Sequence, residues 1–282
     1  MSGIVFLVLA CFASGVLSDI DSPGCGLNDV GFDYSTLPKV TRKRIIGGQI
    51  ATPHSFPWMV ALEHRGIFTC AGSLLKGSSN RWFILTAAHC LHDTIVTDWK
   101  IRLGAHDLSI KEQSTEFIDV KAMMSHPLFK PLKLEHDTAL LELERAPRIN
   151  RPEISFGCVT GNVTVPGETC YVIGWGTTSE ESAPSDMLQV VEKPVMSQSS
   201  CRNIYGSNDF HEASMICAGF PEGGKDSCRY DSGGPLMCYR NGRMEIIGTV
   251  SWGFGCGQPN YPAVYASAAG AIQWIVATIN AQ

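Results

Sequence analysis

Apolar positions along this chain fall into short runs. Trp58-Met-Val-Ala-Leu62, Trp82-Phe-Ile-Leu-Thr86, Ala139-Leu-Leu-Glu-Leu143, Tyr171-Val-Ile173 and Ile246-Ile-Gly-Thr-Val250 are separated by clusters of Gly, Pro, Asn and Ser. Runs of this length bounded by turn residues predict β-strands, and their recurrence predicts a barrel or a sandwich. One stretch behaves differently. Ile272, Ile275, Val276 and Ile279 recur at i, i+3, i+4 and i+7, an apolar stripe that predicts a helix over about 269–281. The expectation is an all-β protein with a docked C-terminal helix, and no internal repeat is evident.

The first residues carry a different pattern. Ile4 to Ala13 is an unbroken apolar run, too short to span a bilayer comfortably, and small residues follow it to Ser18. That reads as a signal peptide over 1–18, which implies a secreted, extracellular protein. Residues 19–44 are rich in Gly, Asp, Ser and Pro and end in Arg42-Lys43-Arg44, as a pro-segment with a processing site does. The globular part is then expected over 45–282, and no later apolar stretch is long enough for a membrane span.

Composition narrows the function classes. With 44% hydrophobic and 17% charged residues in 282, the chain has material for a sizeable core and is not expected to be disordered. A net charge of -5 gives no basic field for nucleic acid or an anionic membrane. Eleven cysteines become ten once Cys11 is assigned to the signal peptide, an even number suited to an oxidising compartment. Five disulfides are possible, and spacing alone does not select their pairing. No C-x-x-C pair exists and the His89 to His92 spacing lacks matching ligands nearby, so neither metal nor other cofactor is expected.

Candidate chemistry centres on Ser232, in Asp226-Ser-Cys-Arg-Tyr-Asp-Ser-Gly-Gly-Pro235, where two glycines let a ligand approach the backbone. Taken alone, Ser-Gly-Gly is a turn. A serine nucleophile also needs a base, because its hydroxyl is weak at neutral pH. Of eight histidines, His89 follows the apolar strand ending at Thr86 and precedes Cys90. A third partner must be a buried carboxylate that holds the imidazole in one tautomer; Asp137, opening the buried run to Leu141, meets that need, although in isolation it reads equally as a strand-end cap. The order His89, Asp137, Ser232 excludes the α/β-hydrolase arrangement, which runs Ser, acid, His, and no histidine follows His211.

Six motifs occurring together carry a resemblance. Ile45-Ile-Gly-Gly48, Thr86-Ala-Ala-His-Cys90, Asp137-Thr-Ala-Leu-Leu141, Gly174-Trp-Gly176, Asp231-Ser-Gly-Gly-Pro235 and Ser251-Trp-Gly253 make the chain, from Ile45 to near Gln282, resemble a trypsin-like protease of the chymotrypsin family. The resemblance implies two six-stranded antiparallel barrels, about 45–155 and 165–266, with the C-terminal helix behind them. It implies acyl transfer: His89 takes the Ser232 proton, Ser232 attacks a peptide carbonyl, Asp137 orients His89, and the N–H groups of Tyr230 and Ser232 face the oxyanion. It pairs Cys25 with Cys158, Cys70 with Cys90, Cys170 with Cys238, Cys201 with Cys217 and Cys228 with Cys256. Cleavage after Arg44 would free the Ile45 ammonium to pair with Asp231, leaving a monomer of two disulfide-linked chains. Asp226, with Ser227, Gly253 and Ala263 around it and Tyr205 nearby, would form the primary pocket for Arg or Lys.

Expected partners are protein or peptide substrates, an activating protease and protein inhibitors. The chain also departs from the family pattern. Tyr230 stands where the oxyanion hole has glycine, which implies crowding on the leaving-group side or, alternatively, a catalytically weak or inactive homologue acting as a binding module. Ala263 replaces a pocket-wall glycine, and Arg229 is placed at the pocket mouth. Only Glu112 is retained of the calcium-loop carboxylates, so no tight calcium site is expected. The loop 92–98 is longer than in simple trypsins, and Asn162-Val-Thr164 is a glycosylation sequon.

Overall fold

The computed structural model describes residues 23–28, 30–37, 48–149, 151–179 and 181–281. The expected signal peptide, with Cys11, and the processing site at Arg44 and Ile45 lie outside the described residues.

The predicted strands form. After the short β1 (Gln49–Ile50), six strands follow: β2 (Met59–His64), β3 (Ile67–Lys76), β4 (Trp82–Thr86), β5 (Trp99–Leu103), β6 (Glu116–Ser125) and β7 (Ala139–Leu143). They close as an antiparallel barrel in the order β2-β3-β4-β7-β6-β5. Val60, Leu62, Ile84, Leu85, Ile101, Leu140 and Leu141 of its strands are all buried, on one face of the barrel wall or the other. Strands β4 and β7 are buried along their full length, and the charged residue among them, Glu142, is paired with Arg81 and Lys121.

The remaining strands are β8 (Cys158–Val159), β9 (Thr169–Gly174), β10 (Gln189–Pro194), β11 (Met215–Ala218), β12 (Pro235–Arg240), β13 (Arg243–Trp252) and β14 (Ala263–Ser267). Together with β1 they make an eight-stranded sheet, ordered β1-β10-β9-β12-β13-β14-β11. The two-residue β8 pairs in parallel with β13. Among the described residues, three α-helices punctuate the strands: α1 (Ala88–Leu91), α2 (Gln198–Tyr205) and α3 (Ala268–Ile279). Ser267 caps α3 by accepting from Gly270 N, and Ile275, Val276 and Ile279 are buried as the stripe predicts.

One core joins the two halves. Trp58, at the mouth of β2, donates Nε1–H to Met237 Sδ at 3.0 Å, and Ile246 and Tyr171 from the second half pack in the same cluster. The segment before the processing site belongs to this core too. Cys25 bonds Cys158, Gly26 exchanges backbone hydrogen bonds with Phe156 and Met244, and Tyr34 packs among Phe56, Trp58 and Tyr239 with its hydroxyl on Ser55 O at 2.7 Å. The five disulfides are the five expected pairs.

Candidate active site

Strand β4 ends at Thr86, whose hydroxyl bonds Ala71 O at 2.8 Å and so fixes the turn into α1. That turn projects His89. Asp137 stands just before β7, which is paired with β4 through Thr86 and Ala139, so the register of this one strand pair brings the two residues together. Asp137 is wholly buried. Its Oδ2 lies 2.7 Å from His89 Nδ1, and its Oδ1 accepts from His89 N at 2.8 Å. Ser251, on β13, donates its hydroxyl to the same Oδ2 at 2.6 Å. A buried carboxylate with three such bonds holds the imidazole with Nδ1 protonated and leaves Nε2 as the basic nitrogen.

Other histidines also face carboxylates. His64 lies 3.5 Å from Asp98 and His92 lies 3.4 Å from Asp93, but both aspartates reach solvent. A wet carboxylate neither fixes a tautomer nor stabilises an imidazolium as a buried one does. His89 with Asp137 is therefore the one of these three pairs whose carboxylate is fully buried.

Ser232 enters from the second half on a braced turn. Its carbonyl accepts from Ala71 N on β3 at 2.8 Å, Gly233 N donates to Val250 O at 2.9 Å, and Gly234 N donates to Asp231 O at 2.9 Å. Gly233 has φ +79°, and a Cβ there would sit 2.1 Å from Thr86 Oγ1, so glycine is required where the turn meets the first barrel. The N–H groups of Tyr230 and Ser232 have no acceptor among the described residues. No hydrogen bond joins Ser232 Oγ to His89 Nε2.

Behind the serine, Asp231 is fully buried against Gly174 and Gly176, where any side chain would strike its carboxylate. It accepts from Gly176 N at 2.8 Å and Cys228 N at 2.9 Å. Burial nevertheless pushes it up to about 7, with those two bonds pulling the other way.

Beside the serine opens a cavity of about 370 Å³, lined by Asp226, Ser227, Cys228, Val250, Gly253 and Ala263 among others. Arg229 stands exposed at its rim.

These features have counterparts in known proteins. The family model described as Trypsin matches residues 45–275. The chain belongs to the trypsin family. It is 36% identical to trypsin of Squalus acanthias over 236 residues, covering 84% of this chain and 96% of that protein, and equally similar to trypsin of Sus scrofa over 239 residues with the same coverage. The clotting factor G beta subunit of Tachypleus tridentatus is 35% identical over 312 aligned positions, 98% of this chain and 92% of that protein. The protein is a trypsin-like serine endopeptidase, and its described residues include no helix long and apolar enough to cross a membrane.

Against the trypsin family pattern, the sequence places several residues well and misses two. Tyr230 adopts φ +72°, the left-handed conformation that glycine takes without cost, and its exposed ring stacks over Phe68. Tyr205 packs edge-on against Trp252, with its hydroxyl on Pro262 O. Glu112 spends its carboxylate on the backbone of its own loop, accepting from His106 N at 2.6 Å. The lengthened 92–98 loop is pinned by Trp99 Nε1 on Thr94 Oγ1 at 2.9 Å and holds Ile95 out into solvent.

The two residues missed are Ser251 and Lys193. Ser251 was visible only as part of a motif; its bond to Asp137 spans 114 positions and has no local signal. Lys193 sits in the run Gln189-Val-Val-Glu-Lys-Pro194 and is among the most deeply buried side chains of the molecule. Its Nζ lies 2.5 Å from Asp226 Oδ1. Burial pulls the ammonium below its usual range, and Asp226 opposes that pull. The run itself, with Gln189 and Glu192 beside the lysine, carries no local mark of that burial.

Proposed function

We propose that the protein is a secreted zymogen, activated by cleavage after Arg44, in which His89, Asp137 and Ser232 carry acyl transfer. The observation that carries this reading is the buried Asp137 carboxylate bonded at once to His89 Nδ1, His89 N and Ser251 Oγ. His89 Nε2 takes the Ser232 proton as Oγ attacks the peptide carbonyl, the imidazolium is stabilised by Asp137, and the same proton passes to the leaving amine. The acyl-enzyme is then hydrolysed by water activated in the same way. The unpaired N–H groups of Tyr230 and Ser232 receive the oxyanion, each donor worth roughly 3–4 kcal/mol.

Two further observations support the zymogen. Asp231 is a buried carboxylate whose hydrogen bonds do not offset its desolvation, so a cation delivered to it is strongly favoured, and the Ile45 ammonium is the family's cation for this position. Residue 48 is followed by β1, which pairs with β10 at Gln49 and Val190, and β10 pairs in turn with Gly174, the glycine that packs on the Asp231 carboxylate. The docked segment 23–37 and the Cys25–Cys158 bond support a two-chain product. Asn162, exposed between β8 and β9, is accessible for glycosylation.

The expected preference for Arg or Lys rests on Asp226 at the cavity floor. The Lys193 ammonium beside it works against that preference.

The test is covalent labelling. A fluorophosphonate should label Ser232 after cleavage at Arg44 and label neither the precursor nor a cleaved Ser232→Ala variant. Absence of labelling in the cleaved wild type would leave the binding-module alternative as the better reading.

A further inference from the structure

We infer that the primary pocket is neutralised from within by Lys193, and that the enzyme cleaves after uncharged aromatic or long aliphatic residues rather than after Arg or Lys. This rests on the protease reading above.

Both oxygens of the floor carboxylate are already engaged. Asp226 Oδ1 faces Lys193 Nζ at 2.5 Å, and Oδ2 accepts from Gly257 N at 2.7 Å. Lys193 reaches this point from β10, outside the cavity lining, so it supplies positive charge without occupying the cavity. Its neighbour Glu192 points the other way, toward Lys225 at 3.5 Å, as alternation along a strand requires. Among the described residues, Asp226 is the one carboxylate within ion-pair distance of Lys193. A buried ammonium that lost this partner would be left uncompensated, so the pair resists being broken by an incoming ligand.

A substrate guanidinium or ammonium in this cavity would meet a floor of no net charge, with a second cation a few ångströms away. Relative to a free Asp226 carboxylate, a Lys193 ammonium at such a separation costs a factor of about a hundred in binding, even with the strong screening usual inside proteins. The walls suit a different guest. Val250, Ala263, Gly253 and the Cys228–Cys256 bridge are apolar, and Ser227 offers one hydroxyl near the floor. The volume of about 370 Å³ is more than twice the ~150 Å³ apolar cavity that takes up benzene, so a tyrosine, phenylalanine or leucine side chain can be accommodated.

A consequence concerns the activating step. An enzyme with this pocket does not cut its own Arg44–Ile45 bond efficiently, so a separate protease that cleaves after basic residues must act before it.

The experiment compares the cleaved, active-site-titrated enzyme on matched peptide amides with Tyr, Phe, Leu, Arg or Lys before the scissile bond, alongside fluorescence titration with p-aminobenzamidine, a cation that seats on a free floor carboxylate. The uncharged substrates should be turned over at least about a hundredfold faster in kcat/KM than Arg or Lys, with p-aminobenzamidine unbound at millimolar levels. Lys193→Ala should raise the Arg-to-Tyr ratio about a hundredfold and restore p-aminobenzamidine binding. Wild-type preference for Arg or Lys, or tight p-aminobenzamidine binding by the wild type, overturns the inference. Should Lys193→Ala fail to fold, those two wild-type measurements decide alone. Failure of fluorophosphonate labelling would refute the protease reading separately, while the titration still reports the charge of the pocket.

Discussion

The ring of Tyr230 stacks on that of Phe68, centroids 6.2 Å apart and planes inclined by 29°, although the Tyr230 backbone sits at φ +72°. Phe68 belongs to β3, two residues before Cys70, whose disulfide partner Cys90 adjoins His89, so the stacked pair lies on the element tied to the His89 turn.

Tyr230→Gly should raise kcat/KM selectively for substrates with a bulky residue after the scissile bond, and leave those with glycine there nearly unchanged. Relief of left-handed strain, roughly 1–2 kcal/mol, is set against loss of a ring stack worth ~1 kcal/mol, so stability should barely move. A uniform change across all leaving groups would point to repair of the oxyanion hole instead.

Asp137→Asn should lower kcat about ten-thousandfold with little change in KM, because the amide presents the wrong tautomer partner to His89. Ser251→Ala removes one of three bonds from the buried carboxylate and should cost about tenfold in kcat. Equal losses from the two changes would show that Ser251 does more than position Asp137.

Asp231 gives the precursor a specific pH dependence. Its folded value is raised to about 7 by burial, above the ordinary carboxylate value it has when unfolded. The unfolded chain therefore binds fewer protons between about pH 4 and pH 7, and this group's contribution to stability is full below pH 4 and lost as pH rises to 7. The loss is on the order of 3–4 kcal/mol. Denaturant unfolding of the precursor should show this slope, Asp231→Asn should remove it, and cleavage after Arg44 should reverse it by supplying a cation. A flat difference between wild type and Asp231→Asn over that range would contradict the argument.

The pro-segment should stay bound after cleavage without its disulfide. In a Cys25→Ser/Cys158→Ser variant, burial of Tyr34 and the backbone bonds of Gly26 hold the segment in place. Adding Tyr34→Ala should weaken it by about 3 kcal/mol and release it on size-exclusion chromatography. Release in the cysteine variant alone would show that the bridge is what retains the segment.

Much of this site was legible in the chain. His89, Asp137 and Ser232 each stand at the end of an apolar run or in a glycine-bounded turn, and their order sufficed to choose among scaffolds. The ten cysteines announced a disulfide framework, while their pairing came from resemblance, since spacing does not encode which sulfurs meet. Tyr230 was legible as a departure, but its ring has a partner, Phe68, 162 positions away in the chain and unmarked by any local pattern.

What the sequence determined by itself were the local quantities: strand positions, the terminal helix, the turn at Ser232 and the candidates for nucleophile, base and acid. Those follow from periodicity and from the few conformations that glycine and β-branched residues favour. Tertiary structure alone decided which charges meet. Asp226 is by resemblance a carboxylate at the floor of a pocket, and becomes half of an ion pair only because β10 carries the Lys193 ammonium, 33 residues earlier, to within 2.5 Å of it. The physical reason is that Coulomb energy depends on separation and burial in space, and the chain lists its charges without either.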